Sequence, residues 1–92
     1  MQFCSLGGNL RIGIAGGAKS NPDVLDMFRI CFSIPLVECY GQTETSTCIT
    51  MTDPLDVTHN QVGAPMINAE IKLLDVPEMH YYTTQDPPQG EV

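Results

Sequence analysis

The chain has 92 residues, four of them Lys or Arg and eleven Asp or Glu, for a net charge of −7. Arg11, Lys19, Arg29 and Lys72 are scattered, so they form neither a basic stripe for a nucleic-acid backbone nor a polybasic grip on an anionic membrane. No apolar run approaches the roughly 20 residues of a bilayer-spanning helix, and residues 1–7 lack the charged and apolar segments of a signal peptide. The length fits one small domain or a piece of a larger one. An apolar share of 42% with only 16% charged residues describes an interior-rich segment rather than a disordered tail.

Leu10, Ile12 and Ile14 alternate with Arg11 and Gly13, which predicts a short strand. Gly16-Gly17 stops it. Asn21 is a good N-cap, Pro22 suits the first helical position, and Asp23 places negative charge at the helix start. The spacing predicts a helix from Pro22 to Phe32. Asp23, Asp26, Arg29 and Ser33 form its polar face, with Asp26 and Arg29 placed to pair. Leu25, Phe28 and Phe32, with Val24 and Cys31, form its apolar face. Ile34-Pro35 ends the helix, and Pro35–Tyr40 reads as a second strand. Strand, helix and strand make a βαβ unit, which joins parallel strands in a sheet covered by helices. One such unit cannot cover its own sheet.

Beyond Tyr40 the pattern is looser. Residues 43–52 are threonine-rich, with Ile49 and Met51 alternating, and read as an extended segment after a polar loop. Asp53-Pro54 is a turn, and Val62-Gly63-Ala64-Pro65 is another tight feature. Ala69–Val76 alternates Ile71 and Leu73 against Glu70 and Lys72, which predicts a strand. Residues 83–90 form a polar surface loop, and Gly90-Glu91-Val92 resembles the first step of another strand. Cys4, Cys31, Cys39 and Cys48 show no C-x2-C spacing, and His59 and His80 are isolated. The thiols read as reduced and mostly buried.

Two loops invite a chemical reading. Residues 13–20 nearly match the phosphate-cradling G-x-x-x-x-G-K-[ST] loop, but Ala18 replaces its second glycine, and Pro22 falls where that motif is already helical. Gly16-Gly17-Ala18 is either a tight turn or a small-residue surface that a flat ligand can approach at a parallel sheet's C-terminal edge. Tyr40-Gly41-Gln42-Thr43-Glu44-Thr45 emerges at the same edge. Tyr40 can stack on a planar base, Thr43 can donate to a phosphate oxygen, and Glu44 is a hard ligand suited to Mg2+. A solvated loop beside an ordinary buried tyrosine is the alternative.

Glu38-Cys39-Tyr40-Gly41-Gln42-Thr43-Glu44 closely resembles the Y-G-x-T-E signature of adenylate-forming enzymes, the acyl-CoA synthetase and luciferase superfamily. Gly16-Gly17-Ala18 resembles the Gly-Ala motif that precedes it. Residues 22–32, Val62-Gly63-Ala64-Pro65-Met66 and residues 71–81 look like the long-chain fatty acyl-CoA synthetase branch. The resemblance implies an α/β fold: the βαβ portion of a parallel-sheet subdomain over residues 6–46, then the opening strands of a β-rich subdomain over 47–92. All of 1–92 would then be partial AMP-binding domain. It implies ATP, Mg2+ and CoA as cofactor and co-substrates, with a fatty acid as the acid partner. By position, Tyr40 would stack on adenine, and Gly16, Gly17, Ala18 and Gly41 would line the pocket. Gln42 would lie beside the reacting group, Thr43 would contact phosphate, and Glu44 would hold Mg2+, making Thr43 and Glu44 the catalytic candidates.

Lys19 departs from the family, which often has proline or leucine there. The family's phosphate loop is expected upstream of Met1. The ribose-binding aspartate, hinge and C-terminal domain are expected downstream of Val92. The chain is therefore expected to be an internal segment, inactive as a ligase by itself. Long-chain members are often membrane-associated, which implies the cytoplasmic face or an organelle membrane for the longer protein. A non-catalytic remnant that binds a partner through uncovered sheet edges, or a segment of another adenylate-forming ligase, is the rival reading.

Overall fold

The computed structural model describes residues 6–92. Its first elements are strand β1 (Gly13–Ala15), helix α1 (Pro22–Phe32) and strand β2 (Leu36–Tyr40). β1 and β2 pair in parallel, with Gly13 opposite Leu36 and Ala15 opposite Glu38. The expected βαβ unit is present, and the fold is α/β. β1 is shorter than expected: Leu10 and Ile12 precede it, and only three residues face β2.

The predicted caps form as the residue types dictate. The Asn21 side chain accepts a hydrogen bond from the Asp23 amide at 2.9 Å, and Pro22 occupies the first turn. Ser33 closes the helix in the left-handed region, at φ 52°.

The helix faces differ from the expected ones. Leu25 is buried and Phe32 half-buried, but Val24 and Phe28 are exposed. Asp26 and Arg29, read from the sequence as part of the polar face, are half-buried. The cause is local. One Arg29 nitrogen pairs with Asp26 at 3.0 Å, and the other donates to the Leu36 carbonyl at 3.0 Å, where β2 begins. That second bond draws the polar face over the strand.

Two short strands extend the sheet. β3 (Thr50–Met51) runs antiparallel to β2, and β4 (Ala64–Pro65) antiparallel to β3, giving the order β1-β2-β3-β4. Pro65 sits on the outermost strand, where a missing amide is tolerated. A 3-10 turn at Thr43–Thr45 precedes β3. Residues 46–47 lie in the loop between β2 and β3, and β3 pairs with β2 beyond it.

The core lies under α1. Leu25 and Val37 are its buried apolar residues among those described, with Thr50 of β3 and Thr52 just after it also buried. Thr52 bonds twice across it: its hydroxyl accepts from the Glu38 amide at 2.9 Å, and its amide donates to the Glu38 carbonyl at 2.9 Å.

The strand expected over Ala69–Val76 does not form. Its burial does alternate, with Ile71 and Leu73 half-buried between exposed Glu70 and Lys72. Only isolated bridges occur, Leu74 with Glu91 and Val76 with Tyr81. Alternation creates a sided ribbon, but a strand also needs a neighbour along its length, and none lies there among the described residues. The radius of gyration is 16.0 Å, against about 12 Å for a compact domain of this size.

Candidate functional site

β1 and β2 end side by side, so the loops that follow them emerge at one sheet edge. A cavity of about 480 Å3 opens there. Gly17 and Ala18 line it from the first loop, and Tyr40 and Gly41 from the end of β2. Pro22 and Leu25 of α1 form a second wall.

Gly16 is not among the lining residues and packs against Cys39. A methyl on Gly16 would sit 2.6 Å from the Cys39 sulfur and 3.1 Å from its carbonyl oxygen. Only a residue without a side chain lets the first loop press this closely on β2. Burial, and then the neighbouring Cys48 thiol, push the Cys39 thiol above its ordinary pKa, so it stays protonated. Cys31, Cys39 and Cys48 are free thiols and half-buried rather than mostly buried; Cys4 falls outside the described residues.

Gln42, Thr43 and Glu44 continue past the cavity rim in the exposed 3-10 turn. The Gln42 amide donates to the Thr45 hydroxyl at 3.0 Å, and that hydroxyl donates to the Gln42 carbonyl at 2.9 Å. Thr45 is thus spent on holding the turn. The Thr43 hydroxyl and the Glu44 carboxylate have no hydrogen-bond partner among the described residues. Among the described residues no three His, Cys, Asp or Glu side chains gather into a metal-holding group. Glu44 offers a single carboxylate.

Sequence reasoning missed a wall. His59, Asn60, Gln61 and Val62 also line the cavity. His59, read as isolated, places Nε2 3.1 Å from Asp26. Its partner lies 33 positions away on the polar face of the helix, so no local pattern pointed to it. Only the turn signals around Asp53-Pro54 and Val62-Gly63 marked the segment.

Lys19 also borders the cavity. Its position does not separate a nucleotide hydrolase loop from the small-residue reading. The helix start does: Lys19 and Ser20 both precede the Asn21 cap, whereas a G-x-x-x-x-G-K-[ST] loop places them at the helix itself.

Among the described residues no helix is long and apolar enough to cross a membrane. No solved structure matches the chain significantly. Several curated proteins do. Long chain acyl-CoA synthetase 7, peroxisomal, of Arabidopsis thaliana is 44% identical over 95% of this chain. Fatty acyl-CoA synthetase A of Dictyostelium discoideum is 39% identical over 95% of it, and long-chain-fatty-acid–CoA ligase 6 of Rattus norvegicus 40% identical over 96%. The chain spans only 12–13% of the length of these relatives. The family model for AMP-binding enzymes matches residues 2–92, and with agreement along nearly its whole length this chain belongs to the AMP-binding enzyme family.

Proposed function

We propose that this chain carries the adenine-binding part of the nucleotide site of a long-chain fatty acid–CoA ligase. The longer protein would join ATP and a fatty acid into an acyl-adenylate, releasing pyrophosphate. CoA would then displace AMP to form the thioester. The observation that carries the reading is the convergence of Gly17-Ala18 and Tyr40-Gly41 on one cavity at the C-terminal edge of two parallel strands. In open α/β sheets that edge is where ligands bind. The names of the relatives supply the acid and thiol classes.

In this reading Tyr40, which is 38% exposed at the rim, stacks on adenine. Gly16, Gly17, Ala18 and Gly41 keep the backbone low enough for the base to approach. Gln42 lies beside the reacting carboxylate or phosphate. Thr43 donates its uncommitted hydroxyl to a phosphate oxygen, and Glu44 holds Mg2+. A lone exposed carboxylate fits that ion, because Mg2+ commonly takes one or two carboxylates together with substrate phosphates and water. When bound, the ion would neutralise charge between two anionic reactants. The chain's own part is to hold the base, align the phosphates and keep the turn rigid through Thr45.

Residues 6–46 would form the end of an α/β subdomain, and 47–92 the opening of a β-rich one. Ile14 and Ile30, 63% and 76% exposed, support a larger body around this segment. Membrane or organelle association of that body is part of the proposal.

The test is AMP binding by this chain, followed by calorimetry. Stacking contributes about 1–3 kcal/mol per base, so Tyr40→Ala should weaken binding roughly tenfold. Unchanged affinity would reject the assignment. A thioester-forming assay on the chain alone should give no product. In the longer protein Glu44→Gln should lower kcat and raise the Mg2+ requirement, and normal activity would remove Glu44 from the site.

A further inference from the structure

We infer that His59 is a positioning residue, whose hydrogen bond to Asp26 latches the Asn60–Val62 wall of the cavity to helix α1. Three observations carry this. First, Asp26 divides its carboxylate: Oδ1 takes Arg29 at 3.0 Å, and Oδ2 faces His59 Nε2 at 3.1 Å. Arg29 is itself anchored on the Leu36 carbonyl, with its side chain 13% exposed. The acceptor offered to His59 is therefore held in place by the start of β2.

Second, His59 makes the one hydrogen bond, among the described residues, that ties residues 53–62 to another element. The other bonds of the segment are internal: Asp53 to Leu55, Asp56 to Thr58, and Gln61 back to Asp56 and Thr58. The segment is a self-bonded loop whose far end is fixed at Gly63, tight against β3. His59 is thus the segment's hydrogen-bonded link to α1, beside the charge attraction of Asp56 to Arg29.

Third, His59 Nδ1 is buried and has no hydrogen-bond partner among the described residues. With the proton on Nε2, the ring donates to Asp26 and leaves Nδ1 a bare acceptor. The other neutral tautomer would set two acceptors face to face and bury an unpaired N–H, which costs more. The geometry selects the Nε2–H form.

The latch stands on these contacts alone; its bearing on nucleotide affinity rests on the function proposed above. The test is nuclear magnetic resonance on the full chain. In the unmodified protein, long-range proton–nitrogen correlations of the His59 ring should show the proton on Nε2. A neutral ring protonated on Nδ1 would overturn the latch without any variant. His59→Ala should drop the backbone order parameters of Asn60, Gln61 and Val62 from about 0.85 to below about 0.6. The same variant should weaken AMP binding about fivefold. His59→Gln, whose amide can donate from the Nε2 position, should restore both. Asp26→Ala should match His59→Ala, with no further loss in the double variant. Unchanged order parameters in His59→Ala would overturn the proposal. If His59→Ala does not fold, the ring tautomer and the Gln variant decide. If AMP does not bind the unmodified chain, the nucleotide reading fails, while the order parameters still judge the latch.

Discussion

Residues 13–40 and residues 53–92 both carry apolar alternation and turn residues, yet they fold by different means. The first stretch builds a paired strand, a capped helix and a second strand, and encloses Leu25 and Val37. The second has a two-residue strand, isolated bridges and loops that bond to themselves. Local signals decide the first. Asn21, Pro22 and the left-handed Ser33 need no distant partner to start and stop a helix. In the second, the features that fix the loops to the rest depend on contacts across the chain, at Gly63 with β3, His59 with α1 and Leu74 with Glu91. A cavity built between the two has one side legible from sequence and one side that is not.

The close backbone approaches at residues 41–52, the segment between the regions, should be the most sensitive positions. A methyl on Gly41 would overlap the Thr47 carbonyl, and one on Gly63 would overlap the Met51 carbonyl, with Gly63 already at φ +80°. Backbone cannot step aside as a flexible side chain can. Gly41→Ala and Gly63→Ala should each cost on the order of 3–5 kcal/mol, enough to remove the folded state of a small domain. Amide dispersion or thermal melting reads this. A native-like melt of either variant would show that the intervening segment does not need these close approaches.

Next comes the core of the first region. Leu25 is 4% exposed and also lines the cavity, so Leu25→Ala removes packing and reshapes a wall. The expected loss is about 2–5 kcal/mol by denaturant unfolding. Leu55, 88% exposed in the second region, is the control, and Leu55→Ala should fall within about 0.5 kcal/mol. Equal losses would dissolve the distinction between a packed region and a self-bonded one.

The local signals can be tested at lower cost. Asn21→Ala removes the side-chain acceptor of the Asp23 amide and should destabilise α1 by about 1 kcal/mol. Asn21→Gly should lose only a few tenths, since glycine leaves that amide open to water. Equal losses for the two would mean that the helix start is set by packing rather than by its cap.

What was legible follows the same division. The helix bounds, the parallel pairing and the meeting of Gly17-Ala18 with Tyr40-Gly41 came from caps, periodicity and topology. The helix faces did not, because Arg29 spends its fork on Asp26 and on a backbone carbonyl, and so turns a polar stripe inward. Ala69–Val76 alternates as a strand should, and even buries alternate residues, but pairing is a property of two segments. His59 is a lone histidine in sequence and a cross-chain donor in space. Composition can show that such a residue exists; only the fold gives it Asp26.

The smallest expected effect lies in the second region and turns on pH. Asp56 accepts from the Thr58 amide at 2.9 Å, from the Thr58 hydroxyl at 2.7 Å and from the Gln61 side chain at 2.7 Å. These donors, the Thr58 amide foremost, hold its carboxyl below the usual carboxylate range. A folded pKa below the unfolded one means that the ionised group supports the loop. That support is complete above the ordinary aspartate range, near pH 4, and is lost as pH falls through the lower folded value. The carboxylate lies at the surface, so the loop should loosen without the sheet unfolding. The Thr58 amide and Gln61 side-chain resonances should therefore move in acid while those of Val37 stay fixed. Asp56→Asn should abolish the acid transition at Thr58. If Val37 moved with Thr58 on acidification, the two regions would be one cooperative unit, and the division drawn between them would fail.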